Sequence, residues 1–400
     1  EWRFRITFNF WIFRWFRRNG FTRSFLGNLG CVFRNGVGYF LGKKKEYIIK
    51  MIQKTWYNLF RFFVKIGLFF YSKRILVSGE KNIPKKGAIL FCANHPNGLI
   101  DPLIVTTNCR RESHYLVRAA AFKKPFIKKF LESLNLIPIY RIRDGSSQMA
   151  KNKEVFENCF EIFKRGETLL IYPEASHNRK RTIRNLSKGF TRIVFGALDK
   201  YPDLKISVIP VGLTYQNTSF YPSKVAVVFG KPIAVKTFYK SNEMTSSINN
   251  LKDEVSKQLK KLSVHIPDDE KYCSILAKLN SLNVDFTNVD SINKIIESGN
   301  YPKQKKKHLN FLQPLYYIII LNSLIPFFIW RKASKKIDEI EFIDTFRFTF
   351  SLFAFPFFYV LQTWILYLFF DWKIATCYLF TSIVIVFVYS KFSETNTENT

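Results

Sequence analysis

The octet Asn94-His95-Pro96-Asn97-Gly98-Leu99-Ile100-Asp101 sets an imidazole and a carboxylate six positions apart, directly after a short apolar run. Acyl transfer to an alcohol needs a base that takes the hydroxyl proton while the oxygen attacks a thioester. Imidazole suits this because it titrates near neutral pH. A carboxylate one or two helical turns later can hold the ring in the productive tautomer. A capped turn with a surface His and an N-terminal Asp would show the same residues, so the octet alone does not decide the matter.

Four further blocks weigh in. Leu134-Asn135-Leu136-Ile137-Pro138-Ile139-Tyr140-Arg141 delivers a basic residue after an apolar strand, and Arg141 with Arg143 could clamp a phosphate through charge-assisted bonds. Leu170-Ile171-Tyr172-Pro173-Glu174-Ala175-Ser176-His177-Asn178 runs from a strand into a polar turn. There Glu174 could bind glycerol hydroxyls, orient a neighbouring Arg, or simply cap a helix. A basic run follows at once: Arg179, Lys180, Arg181, Arg184, Lys188 and Arg192. Such runs are usually solvated faces, but beside a phosphate site some members could hold substrate. Val208-Ile209-Pro210-Val211-Gly212-Leu213 is an apolar strand whose default role is core.

Taken in order and spacing, the His95, Arg141, Glu174 and Pro210 blocks resemble the glycerol-3-phosphate and lysophosphatidate acyltransferase family over roughly residues 76–235. The resemblance implies that His95 is the catalytic base and Asp101 its orienting partner. It also links Arg141 and Glu174 to binding of the glycerol phosphate, and we add Arg143, Ser176 and Lys188 as substrate-binding candidates. Two departures stand out. Five residues separate His95 from Asp101 where the family has four, and Ala175, Ser176 and His177 replace the Gly, Thr and Arg of the third block. The first changes the angle between base and carboxylate; the second bears on substrate choice.

These side chains need a scaffold. Residues 88–92, Thr168–Tyr172, Lys205–Val211 and Lys224–Phe229 read as strands, and 151–165 as a helix with Val155, Phe156, Cys159, Phe160 and Phe163 on one face and Gly166 as its stop. Alternating strands and helices predict an α/β fold, a mostly parallel sheet flanked by helices, over 76–240, and the resemblance implies that it is the glycerolipid acyltransferase fold. Residues 241–310 read as a helical, basic connector, and 311–400 as a membrane region. Within it, the block 311–330 carries Pro314 and Pro326 between two basic clusters. A full crossing would put one cluster outside, so the block is expected to be re-entrant. The blocks 346–370 and 374–390 are expected to span. Residues 51–75 read as an interfacial helix with snorkelling basic residues. Residues 1–50, dense in Phe, Trp and Arg and without a steady period, read as a non-native or disordered extension.

The net charge of +32 first suggests nucleic acid, but the cations lie beside long apolar stretches, which favours an anionic phospholipid surface. The six cysteines form no CxxC pair, and no Cys/His spacing suits zinc, so we expect neither disulfide nor metal. GxSxG and GxxxxGK[ST] are absent. The expected protein is an integral membrane enzyme with its catalytic domain on the cytoplasmic side, in the inner membrane if bacterial. It would use acyl-CoA or an acyl carrier protein as co-substrate, with no cofactor, and a glycerol phosphate as acceptor. The competing functions are lysophospholipid remodelling and a non-catalytic basic protein that docks on membrane or nucleic acid.

Overall fold

A computed structural model of the chain describes residues 48–140, 150–303, 310–337, 339 and 341–395. The chain divides into two units, one ending at Leu59 and one beginning at Phe60. In the first, the described residues 48–59 are helical. The extension expected over 1–50 lies almost wholly outside the described residues. All that follows concerns the second unit.

Its centre is an eight-stranded sheet: β1 (Arg74–Ser78), β2 (Ala88–Ala93), β3 (Ser113–Arg118), β4 (Leu136–Ile139), β5 (Thr168–Ile171), β6 (Ile206–Tyr215), β7 (Lys224–Phe229) and β8 (Ile233–Ala234). The order is β1-β7-β6-β2-β5-β3-β4, with β8 paired to β6. β4, β3, β5, β2 and β6 run parallel, and only β7 and β8 pair antiparallel to β6. β2 sits mid-sheet with a parallel neighbour on each side, and all six of its residues are buried. A strand covered on both faces should read as an unbroken apolar run, as Ala-Ile-Leu-Phe-Cys-Ala does.

Alternation then sorts the side chains. Leu90 and Cys92 face a cluster with Leu169, Ile171 and Val208, covered by helices Asn152–Lys164, Gly189–Lys200 and Met244–Leu262. Ile89 and Phe91 face the other way, where the Phe91 ring lies 5.7 Å from that of Phe229. The first helix buries Val155, Cys159, Phe160 and Phe163, the stripe its spacing predicts, and Gly166 follows its end with φ 69°. That left-handed backbone is where a residue without Cβ stops a helix cheaply.

One expectation needs correction. Residues 241–300 are part of the fold rather than a connector. Leu251, Val255 and Leu259 repeat every fourth position and enter the main core, while Ile266, Leu279, Phe286 and Ile292 build a second cluster against Ala226 of β7. The segment around 51–75, expected to be an interfacial helix, packs its 60–71 part against the tail. Val64 and Leu68 are buried, and the Phe63 ring sits 5.7 Å from Phe353. Its Phe62, Ile66 and Phe69 remain exposed.

The tail carries two helices long and apolar enough to cross a membrane, Phe342–Phe369 and Trp372–Phe392. Asp371 caps the second, its carboxylate accepting from the Ile374 N–H at 2.9 Å. Before them, Gln313–Asn322 and Leu324–Ser334 meet at 94°, the geometry of a broken span or a re-entrant loop. Pro326 explains the break. Its ring cannot sit over the carbonyl four residues back. That carbonyl, of Asn322, instead accepts from Gln362 Nε2 at 3.0 Å.

Candidate active site

β2 ends at Ala93, and the next side chain continues the sheet by other means. Asn94 donates through Nδ2 to the Leu213 carbonyl (2.9 Å) and accepts the Leu213 N–H at Oδ1 (2.7 Å). Its side-chain amide thus takes the place of a ladder pair and pins the backbone that presents His95. Residues 96–99 turn, and helix Ile100–Asn108 begins with Asp101 in its first turn. This turn absorbs the extra residue noted in the sequence, because His95 Nδ1 still meets Asp101 Oδ2 at 2.8 Å.

The Asp101 carboxylate has no solvent exposure, whereas the His95 side chain is 14% exposed. The imidazole therefore reaches the opening while the carboxylate is sealed beneath it. Two more donors address the carboxylate: the Asn97 N–H at 2.7 Å on Oδ2 and the Tyr215 hydroxyl at 2.6 Å on Oδ1. Burial raises the Asp101 pKa above the ordinary carboxylate value, against bonds from His95, Tyr215 and Asn97 that pull it down. With a carboxylate on Nδ1, the ring keeps its proton there and leaves the Nε2 lone pair for an incoming hydroxyl.

Sheet register explains the neighbours. β5 lies beside β2 with Cys92 opposite Ile171, so Tyr172 leaves the sheet at the same level as the His95 loop. Its ring stacks on His95 at 3.8 Å and 16°. β6 continues four residues past its last partner in β2, and this overhang carries Tyr215 to Asp101. Burial, reinforced by the Asp101 charge, raises the Tyr172 and Tyr215 pKa values well above normal, so both hydroxyls stay protonated. The sequence marked Tyr172 only as part of a block and Tyr215 not at all. Neither carries a local signal, since both roles come from strand register.

The Glu174 turn closes one side. Glu174 accepts from Arg184 Nε at 2.7 Å, and Arg184 Nη1 donates to Ser176 Oγ at 2.8 Å. Arg184 Nη2 also reaches the Ser176 carbonyl. Of the two functional readings open for Glu174, the geometry shows the one in which it orients an arginine. Burial raises its pKa while Arg184 draws it down. Ala175 takes φ 62°, a conformation better suited to the glycine usual there. His177 sets its ring edge-on to His95 at 5.7 Å, and its Nε2 meets Glu339 Oε2 at 3.1 Å. Lys188 is exposed just before helix Gly189–Lys200.

The basic run divides. Arg181 is a buried structural residue that donates to the Tyr215 and Gln216 carbonyls (2.8 and 3.0 Å), with its guanidinium 3.7 Å over the Phe286 ring. Lys180 pairs with Asp268 at 2.8 Å on the surface. Arg184 is tied to the Glu174 turn through Glu174 and Ser176. Arg141 and Arg143 lie outside the described residues. Among the described residues no group of three His, Cys, Asp or Glu could hold a metal.

The loop also has a support from outside the sheet domain. Asn97 Nδ2 donates to Asp344 Oδ2 at 2.8 Å, and the Leu99 N–H donates to Thr345 Oγ1 at 2.9 Å. Both acceptors belong to the first turns of the tail helix Glu341–Phe369. Two backbone amides beyond His95 are thereby engaged within the protein: the Asn97 N–H serves Asp101 and the Leu99 N–H serves Thr345.

An imidazole–carboxylate pair at the carboxyl end of a parallel strand, under a stacked tyrosine and beside an arginine-bearing turn, can take a proton from a hydroxyl in general-base chemistry. Residues 74–214 match the family model described as Acyltransferase, and this part of the chain is an Acyltransferase-family domain. Relatives include glycerol-3-phosphate O-acyltransferase 2 of Saccharomyces cerevisiae, 30% identical over 44% of this chain and 25% of that protein. The 1-acyl-sn-glycerol-3-phosphate acyltransferase of Borreliella burgdorferi is 23% identical over 50% of this chain and 78% of its own. An uncharacterized acyltransferase of Schizosaccharomyces pombe is 20% identical over 55% of this chain and 46% of its own. The chain thus spans less than half the length of the fungal relatives it matches. Among solved structures, the lysophosphatidate acyltransferase PlsC of Thermotoga maritima is similar at 18% identity and a TM-score of 0.38, covering 53% of this chain and 82% of that one.

Proposed function

We propose that this protein moves a fatty acyl group from a thioester, acyl-CoA or an acyl carrier protein, to a hydroxyl of glycerol 3-phosphate or a related glycerol phosphate, as a step of phospholipid synthesis. The observation that carries this reading is the 2.8 Å contact of His95 Nδ1 with the sealed Asp101 carboxylate, on a ring whose edge stays open. The acceptor hydroxyl oxygen attacks the thioester carbonyl carbon as His95 Nε2 takes its proton. Asp101 stabilises the imidazolium so formed. The tetrahedral intermediate then expels the thiolate with cleavage of the C–S bond, and the imidazolium returns the proton to sulfur. Atoms balance as an ester plus a free thiol.

Arg184, held in place by Glu174, and the exposed Lys188 supply cationic character for the acceptor's phosphate, with Arg141 and Arg143 as further candidates from the sequence. The lysophosphatidate relative widens the acceptor class to glycerol phosphates that already carry one chain. The tail helices keep the site at the bilayer, where acyl chains and product reside. Arg331 and Lys332 lie in the last turn of the bent pair, Lys335 and Lys336 come just after it, and this cationic cluster favours placing the sheet domain on the cytoplasmic, anionic face.

The test is purified protein in detergent with labelled acyl-CoA, offered glycerol 3-phosphate, dihydroxyacetone phosphate and lysophosphatidate in parallel, with lysophosphatidylcholine as a comparison acceptor that lacks a terminal phosphate. We expect ester formation on at least one of them. Transfer only to lysophospholipids that lack a terminal phosphate would move the assignment to remodelling. No transfer to any acceptor, together with salt-dependent nucleic-acid binding, would replace it with a binding role.

A further inference from the structure

Helix Leu324–Ser334 and the tail helix flank an open groove of about 1110 Å³ that the acyl-transfer mechanism has not used. Trp330 and Ala333 line it from helix Leu324–Ser334, and Phe346, Phe350, Phe353 and Phe357 line it from helix Glu341–Phe369. The Trp330 and Phe350 rings stack at 6.2 Å and form part of its wall. An aromatic-walled groove on a helix expected to lie in lipid would by itself be unremarkable. One end of this groove differs.

There the lining passes through Phe342 and Glu339. The Phe342 ring meets the His177 ring edge-on at 4.8 Å, Glu339 bonds His177 at 3.1 Å, and His177 stands 5.7 Å from His95. The apolar groove therefore opens one side chain away from the candidate base. From there it runs along the tail helix towards Phe357. Phe357 lies fifteen positions beyond Phe342, which at 1.5 Å each is about 22 Å. An extended chain advances roughly 1.2 Å per bond, so a chain of about 18 carbons fills that length.

Resting on the acyl-transfer reading, we propose that this groove holds the fatty acyl chain of the thioester donor, its carbonyl at the Phe342 end beside His95 and its methyl end near Phe357. The site then sits outside the sheet domain, on the tail. Acyl length is measured by the distance from His177 down the tail helix. Ala354 and Ala333 are the small residues of the lining and set its width at two depths. Ala354 lies twelve residues beyond Phe342, about 18 Å along the axis. Ala333 is nearer the mouth, about one turn past Trp330.

The experiment compares wild type, Ala354→Trp and Ala333→Trp in detergent with acyl-CoA donors of graded length, each offered glycerol 3-phosphate, dihydroxyacetone phosphate and lysophosphatidate as acceptors. For Ala354→Trp we expect at least about a tenfold loss with donors of roughly 16 to 18 carbons and near wild-type rates with roughly 8 to 12. Ala333→Trp should move the cut-off to still shorter chains. Retained short-chain turnover shows that each variant is folded. An unchanged length profile in both variants overturns the groove, as does equal loss at every length in both. A second readout does not depend on turnover: a long-chain acyl-CoA tipped with a diazirine is photolysed on the wild-type protein. Label within 346–357 supports the groove, and label confined to the sheet domain overturns it. If wild type transfers from no donor, the proposed function fails instead, and the labelling still decides whether the groove takes an acyl chain.

Discussion

Asp344, in the tail, accepts a 2.8 Å hydrogen bond from the side-chain amide of Asn97, two residues past His95. The same carboxylate pairs with Arg347, which donates to the Tyr71 hydroxyl at 2.8 Å and the Ser219 carbonyl at 2.8 Å. One buried knot therefore joins the tail helix, the helical segment 60–71 and the His95 loop. The tail thus helps to shape the turn that presents His95. Asp344→Ala is expected to lower kcat about tenfold, as for loss of a charged hydrogen bond. Asp344→Asn, which keeps an acceptor for Asn97, should restore part of that rate. Equal kcat in wild type and Asp344→Ala would show that the knot has no bearing on the loop.

His95→Ala should stay folded and lose at least about a hundredfold in kcat, the contribution expected of a positioned base. Asp101→Asn should lose about as much, because an amide does not stabilise the imidazolium. Turnover with labelled acyl-CoA, beside far-ultraviolet circular dichroism as a folding control, reads both.

Tyr215→Phe removes one of the donors that hold the Asp101 pKa down against burial. The carboxyl then takes up a proton at higher pH than in wild type, and its support for an imidazolium is lost sooner on acidification. The acid limb of the kcat/KM profile should therefore move to higher pH. A profile unmoved by the substitution would mean that Asp101 does not govern that limb.

Glu174 is almost fully buried in its side chain and bonded to Arg184. Arg184→Ala strands that charge, and breaking one side of a buried pair costs about 3 kcal/mol or more. The double variant Glu174→Ala/Arg184→Ala, with no stranded charge, should be more stable than Arg184→Ala alone. Chemical denaturation in a mild detergent would compare them.

His265 accepts the Ile183 N–H at 3.1 Å, close to Arg184 in sequence. Burial, with Lys260 adding to it, lowers its pKa from 6.5 to about 4. The unfolded chain therefore binds this proton first as pH falls, and the ring's stabilising effect, intact above 6.5, is lost progressively towards pH 4. His265→Asn keeps an acceptor without titrating, so its midpoint temperature should fall less than wild type between those limits. Parallel curves for the two proteins would refute the assignment.

Much of this molecule is legible in its residue order. An unbroken apolar run at 88–92 with turn signals before it can only be a buried strand, and the stripe at 155, 159, 160 and 163 can only be one helix face. The lengths of the apolar blocks in the tail, and the imidazole and carboxylate placed six apart, are equally local facts. Periodicity reports which side of an element is dry, and the helix Met244–Leu262 shows its limit. Its stripe was present, but the polar residues between Leu251, Val255 and Leu259 hid the fact that a sheet lay against it.

What only the tertiary structure decided is who meets whom across the sheet. Tyr215 reaches Asp101 because β6 overhangs β2, Tyr172 covers His95 because β5 ends level with it, and Asp344 reaches Asn97 from far down the chain. Arg181 and Arg184 sit three apart in one basic run, yet one is sealed under Phe286 and the other grips the Glu174 turn. The physical reason is common to all of them. A side chain's partners follow from strand register and helix docking, which the chain settles through the summed burial of many residues, and no short stretch of sequence carries that sum.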